Sequence, residues 1–138
     1  MSKNVIIYTN PNSGNVCVCI PTGELPIEAV QGKDIPAGVQ SFIVDAASLP
    51  EQDNDFFNAW EQTNGVVTVN LTKAKSITKD RLRAERAPLL AAQDVAFQRA
   101  LEAGTSTAAI VAEKQRLRDI TNLADGCNSI AELRALKV

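Results

Sequence analysis

From Thr72 to Leu101 apolar residues recur at helical spacing, with Leu82, Leu89, Phe97 and Leu101 separated by seven, eight and four positions. A stripe of this period is useful only on a helix that lays one face on a core or on a partner. The C-terminal half is therefore committed to long helices, and any sheet must be built before Thr72. Thr72 is a plausible N-cap for the first of them. Pro88 interrupts the run: it removes a backbone donor and should kink or divide the helix near Ala87, at a cost of about 3 kcal/mol unless a second helix restarts there.

Gly104 is a stop signal, and Thr105, Ser106 and Thr107 offer N-caps for a following helix that carries Ile110, Leu117, Ile120 and Ala124 on one side. The two helices are expected to form a hairpin. Asp125 and Gly126 end it, and Ser129 to Glu132 is a capping box that opens a short last helix through Leu136.

The N-terminal half reads differently. Val5 to Tyr8 and Val16 to Ile20 are rich in β-branched residues and flank the turn-forming run Asn10 to Gly14, which predicts a hairpin. Ile27 to Val30 is long enough for one helical turn before Gly32, and Ser41 to Val44 is a third strand. Leu49 to Asp55 is acidic and turn-prone, which predicts a surface loop. Phe56 to Glu61 and Val66 to Leu71 flank Asn64-Gly65 as a second hairpin, with Val67, Val69 and Leu71 on one face. The expected fold is α+β: a small antiparallel β head over residues 1–71, then a helical hairpin and a short terminal helix over 72–138.

Composition narrows the chemistry. Histidine is absent, which removes Ser/His/Asp triads, Cys/His dyads and most zinc sites, and no pair of carboxylates, lysines or tyrosines sits in a recognisable catalytic context. The expectation is a protein that is not an enzyme and needs no cofactor or metal. A net charge of −2 argues against nucleic acid as a partner. No apolar run is long enough to span a bilayer, and no leader pattern opens the sequence.

Three features could serve binding. Cys17 and Cys19 lie two apart on a predicted strand, so both thiols face one side; with Cys127 as the remaining cysteine they read as reduced thiols, in a core or at an interface. Lys73, Lys75, Lys79, Arg81, Arg83 and Arg86 outnumber Asp80 and Glu85, and this basic run is either a solvated helix face or a docking face for an acidic partner. Trp60, with Phe56 and Phe57, is either core or an interface anchor.

The order of short motifs resembles a family of small proteins encoded beside tail-fibre genes in tailed phages and prophages, the tail assembly chaperones or tail-fibre assembly proteins. The motifs are Asp34 to Gly38 followed by Val44-Asp45, an aromatic element from Phe57 to Trp60, a helix with Arg83, Arg86, Leu89, Leu90 and Asp94, and Leu117-Arg118-Asp119. The resemblance implies a non-enzymatic tail protein, made in the host cytoplasm and placed in the virion tail. Its partners would be other tail or fibre proteins or further copies of itself. The implied contact set is Trp60, Leu82, Arg83, Arg86, Leu89, Leu90, Phe97, Leu101, Leu117 and Arg118. Many family members carry tryptophan directly after the helix aspartate, where this chain has Val95. They often end in a proline-rich, tryptophan-containing tail, where Ile120 here leads into another helix. Those departures favour a component retained in the particle over a transient chaperone.

Overall fold

The β-branched run near the N-terminus sets the first unit. In the computed structural model, which describes residues 3–138, β1 (Asn4–Thr9) is the centre of a three-stranded antiparallel sheet between β2 (Val16–Cys19) and β3 (Ser41–Asp45). Ile7 pairs with Val18 and Phe42, and Ile6 with Cys19 and Ile43, so strand alternation separates two faces. Val5, Ile7, Val16, Val18, Phe42 and Val44 share one; Ile6, Tyr8, Cys17, Cys19, Ser41 and Ile43 share the other.

The first face closes over Leu49, Trp60 and Val67 to make the core. Trp60 opens β4 (Trp60–Thr63), which pairs with β5 (Val66–Val69) across a two-residue turn. Asn64 and Gly65 both take positive φ there, 51° and 85°, as a type I′ turn requires. A Cβ at position 65 would also stand 3.3 Å from Phe42, so the glycine lets turn and sheet approach. The second face is covered by α1 (Ile27–Asp34), whose Gln31 amide donates to the Ser41 hydroxyl at 2.9 Å. Ile6, on that face, is fully buried.

Several local expectations change. α1 runs through Gly32, well past the single turn expected, and ends when Ile35, held extended by the proline after it, leaves the helix. The acidic stretch is not an open loop: Ala46–Ser48 and Glu51–Ala59 wind into 3-10 helix, started by the Asp45 carboxylate accepting the Ala47 N–H at 2.9 Å. The second of these is kinked at Asp53 and Phe56, whose backbone leaves the helical region (φ −110° and −108°); Phe56 and Ala59 are both buried, and the strand begins only at Trp60. Leu71 belongs to a helix rather than to β5.

That helix, α2 (Leu71–Ala103), is capped by Asn70 and not by Thr72: the Asn70 side-chain oxygen accepts the Lys73 N–H at 2.9 Å. Pro88 does not divide it. Ala84, Ala87 and Pro88 are exposed, so the carbonyl that loses its donor lies on the solvent side, where water can bond it. Beyond α2 come α3 (Ala108–Asp119), α4 (Asn122–Asp125) and α5 (Ile130–Ala135). The chain divides into two compact units, one up to Lys73 and one from Ala74 to Val138. The architecture is α+β.

Candidate assembly surface

The second unit is organised by the side chains of α2. Ala74, Thr78 and Leu82 recur every fourth residue and are fully buried, the Thr78 hydroxyl donating to the Ala74 carbonyl at 2.9 Å. Leu117, Ile120, Ala124, Cys127 and Leu133 supply the buried residues of α3, α4, α5 and their connections.

Around this core the basic residues of α2 reach the C-terminal ends of the three later helices. Arg86 donates to the carbonyls of Leu117 (3.2 Å) and Arg118 (2.8 Å), in the last turn of α3. Lys75 donates to the carbonyl of Asp125, the last residue of α4, and Lys79 pairs with its carboxylate at 2.7 Å. Arg81 donates to the carbonyls of Leu133 (3.2 Å) and Leu136 (2.8 Å) at the end of α5. Each cation meets the negative end of a helix dipole, where carbonyls lack their full set of helical donors; the Leu133 carbonyl takes Arg81 in addition to the Leu136 N–H. The hydrogen bond from Lys79 also holds the Asp125 carboxyl below its ordinary range. The basic run is thus largely an internal clamp. Lys73, paired with Glu61 at 3.3 Å, and Arg83, paired with Asp80 at 2.8 Å on the exposed side, are the exceptions.

The turn between α2 and α3 is specified by glycine. Gly104 takes φ of 69°, its N–H donates to Leu101 and that of Thr105 to Ala100, the two bonds of a Schellman ending. Ser106 then accepts the Ala108 N–H at 3.3 Å. The returning helix is held by Lys114, whose ammonium lies 2.6 Å from Asp94 and 5.4 Å from the centre of the Phe97 ring. A second pair, Arg116 with Glu113 at 2.6 Å, lowers the glutamate's pKa and raises the arginine's.

Past Arg86 the packing thins. Ala100 is the one buried residue of this part of α2, while Leu89, Val95 and Leu101 are 41%, 50% and 55% exposed and Val111 on α3 is 50% exposed. Leu90, Phe97 and Ile110 are half-buried. The distal hairpin therefore presents aliphatic side chains that its own two helices do not cover.

The contact set expected from the sequence separates accordingly. Leu82, Leu117 and Trp60 are interior in their own units and are not available to a partner; the Trp60 indole donates to the Asp53 carbonyl at 3.2 Å and its ring lies 4.8 Å from Phe57. Arg86 is engaged with carbonyls. Leu89, Leu90, Phe97 and Leu101 lie in the distal hairpin, and Arg83 and Arg118 are exposed. Sequence reasoning missed Asn70, Lys114, Val95, Val111 and the clamp on Asp125. Lys75 and Lys79 are visibly on one helix face, but nothing local announces an acceptor some fifty residues later.

Elsewhere the sites are sparse. Cys17 and Cys19 are half-buried free thiols and Cys127 is a buried one. The Tyr8 hydroxyl is pushed above its ordinary pKa by its hydrogen bond with Cys17 and then by burial. Among the described residues no group of three or more Cys, Asp or Glu is placed to hold a metal ion, and no helix is long and apolar enough to cross a membrane. An open cleft of about 400 Å³ in the first unit is lined by Lys3, Ile20, Pro21, Leu25 and Ile27 without a carboxylate. Comparison with protein-family models, with curated proteins and with solved structures finds no match.

Proposed function

We propose that this protein is a non-enzymatic bacteriophage tail component, a minor structural or fibre-associated virion protein that assembles through its helical unit. The observation that carries the reading is the distal hairpin, where Leu89, Val95, Leu101 and Val111 are all left two-fifths or more exposed. The two helices leave these side chains uncovered, and burial by neighbours contributes about 25 cal/mol for each Å² removed from water. The motif resemblance supplies the setting, since Leu89, Leu90 and Asp94 of the phage-like helix motif lie in this same hairpin. Partners on this reading are other tail or fibre proteins and further copies of the chain.

The same exposed side chains support a second reading, a transient chaperone that holds fibre subunits soluble and then departs. Quantitative mass spectrometry of purified particles separates the two, scaled to a tail protein of known copy number. A fixed stoichiometric signal is the expected result. Absence from particles, with recovery on fibre protein in the lysate, would replace the structural role by the chaperone; absence from both would end the tail reading.

A further inference from the structure

Cys17 and Cys19 occupy alternate positions of β2, so their side chains leave the sheet on one face, the face that also carries Ile6 and Tyr8. Both are free thiols, and both are half-buried. Tyr8, the cross-strand partner of Cys17, stands beside the pair: its hydroxyl hydrogen-bonds with Cys17 and is close enough to Cys19 to feel that thiol's charge. Cys19 also lines a cavity of about 150 Å³ shared with Leu25, Val30 and Lys33, open enough for a small solute to reach it.

The strand sets the distance between the two thiols. Two residues of extended chain span roughly 6.6 Å, and side chains on one face run nearly parallel, so the two Cβ atoms are separated by about the same length. A disulfide needs its Cβ atoms about 3.5–4.5 Å apart, so a direct bond would distort the strand. An ion placed between the sulfurs fits instead. Two metal–thiolate bonds of about 2.3 Å set in line span about 4.6 Å, and each sulfur has only to lean about 1 Å toward the other. The donor set then chooses the ion. Zinc asks for a tetrahedral set of ligands, and calcium and magnesium for a shell of oxygens. Among the described residues no group of three or more Cys, Asp or Glu converges, and the chain has no histidine. A pair of thiolates alone suits a soft cation that is satisfied by two ligands, and Cu(I) is the first-row ion of that kind. We infer that Cys17 and Cys19 form a two-coordinate Cu(I) site on β2. On binding, each thiol releases its proton to solvent, two metal–sulfur bonds form, and no electron is transferred. Tyr8, whose raised pKa keeps its hydroxyl protonated, donates to the Cys17 sulfur of the loaded site. The site is independent of the tail reading.

The test is an anaerobic competition with bicinchoninate for Cu(I), run on the full chain and on Cys17→Ser, Cys19→Ser and Cys127→Ala. The wild type should withhold one Cu(I) per chain, and Cys127→Ala should match it. Each serine variant should bind at least about a hundredfold more weakly, because the second sulfur acts as an intramolecular ligand. X-ray absorption of the loaded wild type should show two sulfur neighbours around copper. Trp60 is the chain's single tryptophan and is buried in the first unit, so its fluorescence follows unfolding of the unit that carries the site. Cu(I) should raise that unfolding midpoint in the wild type and leave it unmoved in Cys17→Ser, since only a site built by the strand prefers the folded chain to the unfolded one. The two wild-type readings decide the matter even where a variant folds poorly. Half an ion per chain, three sulfur neighbours, undiminished binding in either folded serine variant, or an unmoved wild-type midpoint would each overturn the inference.

Discussion

Leu82→Ala and Leu101→Ala make the same truncation in the same helix, at two positions of one sequence stripe, yet the structure predicts very different costs. Leu82 is fully buried, so the substitution forfeits the whole transfer term and leaves a void that the surrounding helices cannot fill, about 3 kcal/mol. Leu101 is 55% exposed. Less than half of the roughly 1.5–3 kcal/mol for complete leucine burial is available to lose there, and no closed cavity forms, so about 1 kcal/mol is the upper estimate. In a unit this small each kcal/mol shifts the melting temperature by about 4–8 °C, which separates the variants by roughly 10 °C or more. Thermal and urea unfolding followed by far-UV circular dichroism reads the difference, at a protein concentration low enough to keep the chain monomeric. Equal losses for the two variants would refute the claim that the stripe changes role along α2.

Arg86→Met keeps the bulk of the side chain but removes both bonds to the end of α3. Partly exposed charge-assisted bonds of this kind are worth about 1–2 kcal/mol together, and amide exchange should rise in the last turn of α3. Arg86→Lys should not restore the full loss, because both bonds come from Nη1, which a lysine side chain, one atom shorter, does not reach in the same position. Asn70→Ala removes the cap of α2, lowering stability by about 1 kcal/mol. It also frees Glu61, whose carboxyl is held below its ordinary pKa first by the Asn70 amide and then by Lys73. A lowered carboxylate pKa means that this contribution is complete above the unfolded-state value and is lost as pH falls through the folded one. In the variant the NMR titration of Glu61 should therefore move up, and the acid limb of the stability profile should flatten. An unmoved Glu61 would show that Lys73 alone sets it.

Element types were legible where one periodicity dominated. The alternation of Val5 to Tyr8, the Asn64-Gly65 turn, the stop at Gly104 and the capping box at Ser129 are local signals, and each element forms with its neighbours' help. In the last of these the Ser129 hydroxyl accepts the Glu132 N–H, while Glu132 reaches back to the N–H of Asn128. What was not legible depends on distant partners. The acidic stretch before Trp60 looks like a loop because its composition is polar, and only the burial of Leu49, Phe56 and Ala59 against other elements winds it into 3-10 turns. Pro88 looks like a break because its local cost is real, but exposure of the freed carbonyl makes that cost bearable within one helix. The basic run was ambiguous for the same reason: whether a lysine is solvated, docked or clamped is decided by where later carbonyls arrive, and no helical period encodes that.

The clamp also explains why the exposed end of the hairpin can remain exposed without unfolding the unit. Arg86, Arg81, Lys79 and Lys75 fix α3, α4 and α5 against the proximal part of α2, so the buried leucines and alanines there form a complete core. The distal part needs only the Schellman turn at Gly104, the buried Ala100 and the Lys114 contacts to Asp94 and Phe97 to stay paired. One helix thus supports two jobs along its length, stability on the near side of Pro88 and presentation of Leu89, Val95 and Leu101 on the far side. A proline at the junction fits that division: it weakens the helix ladder where no partner helix depends on it, and it lies on the solvent-facing side where the lost bond is least costly.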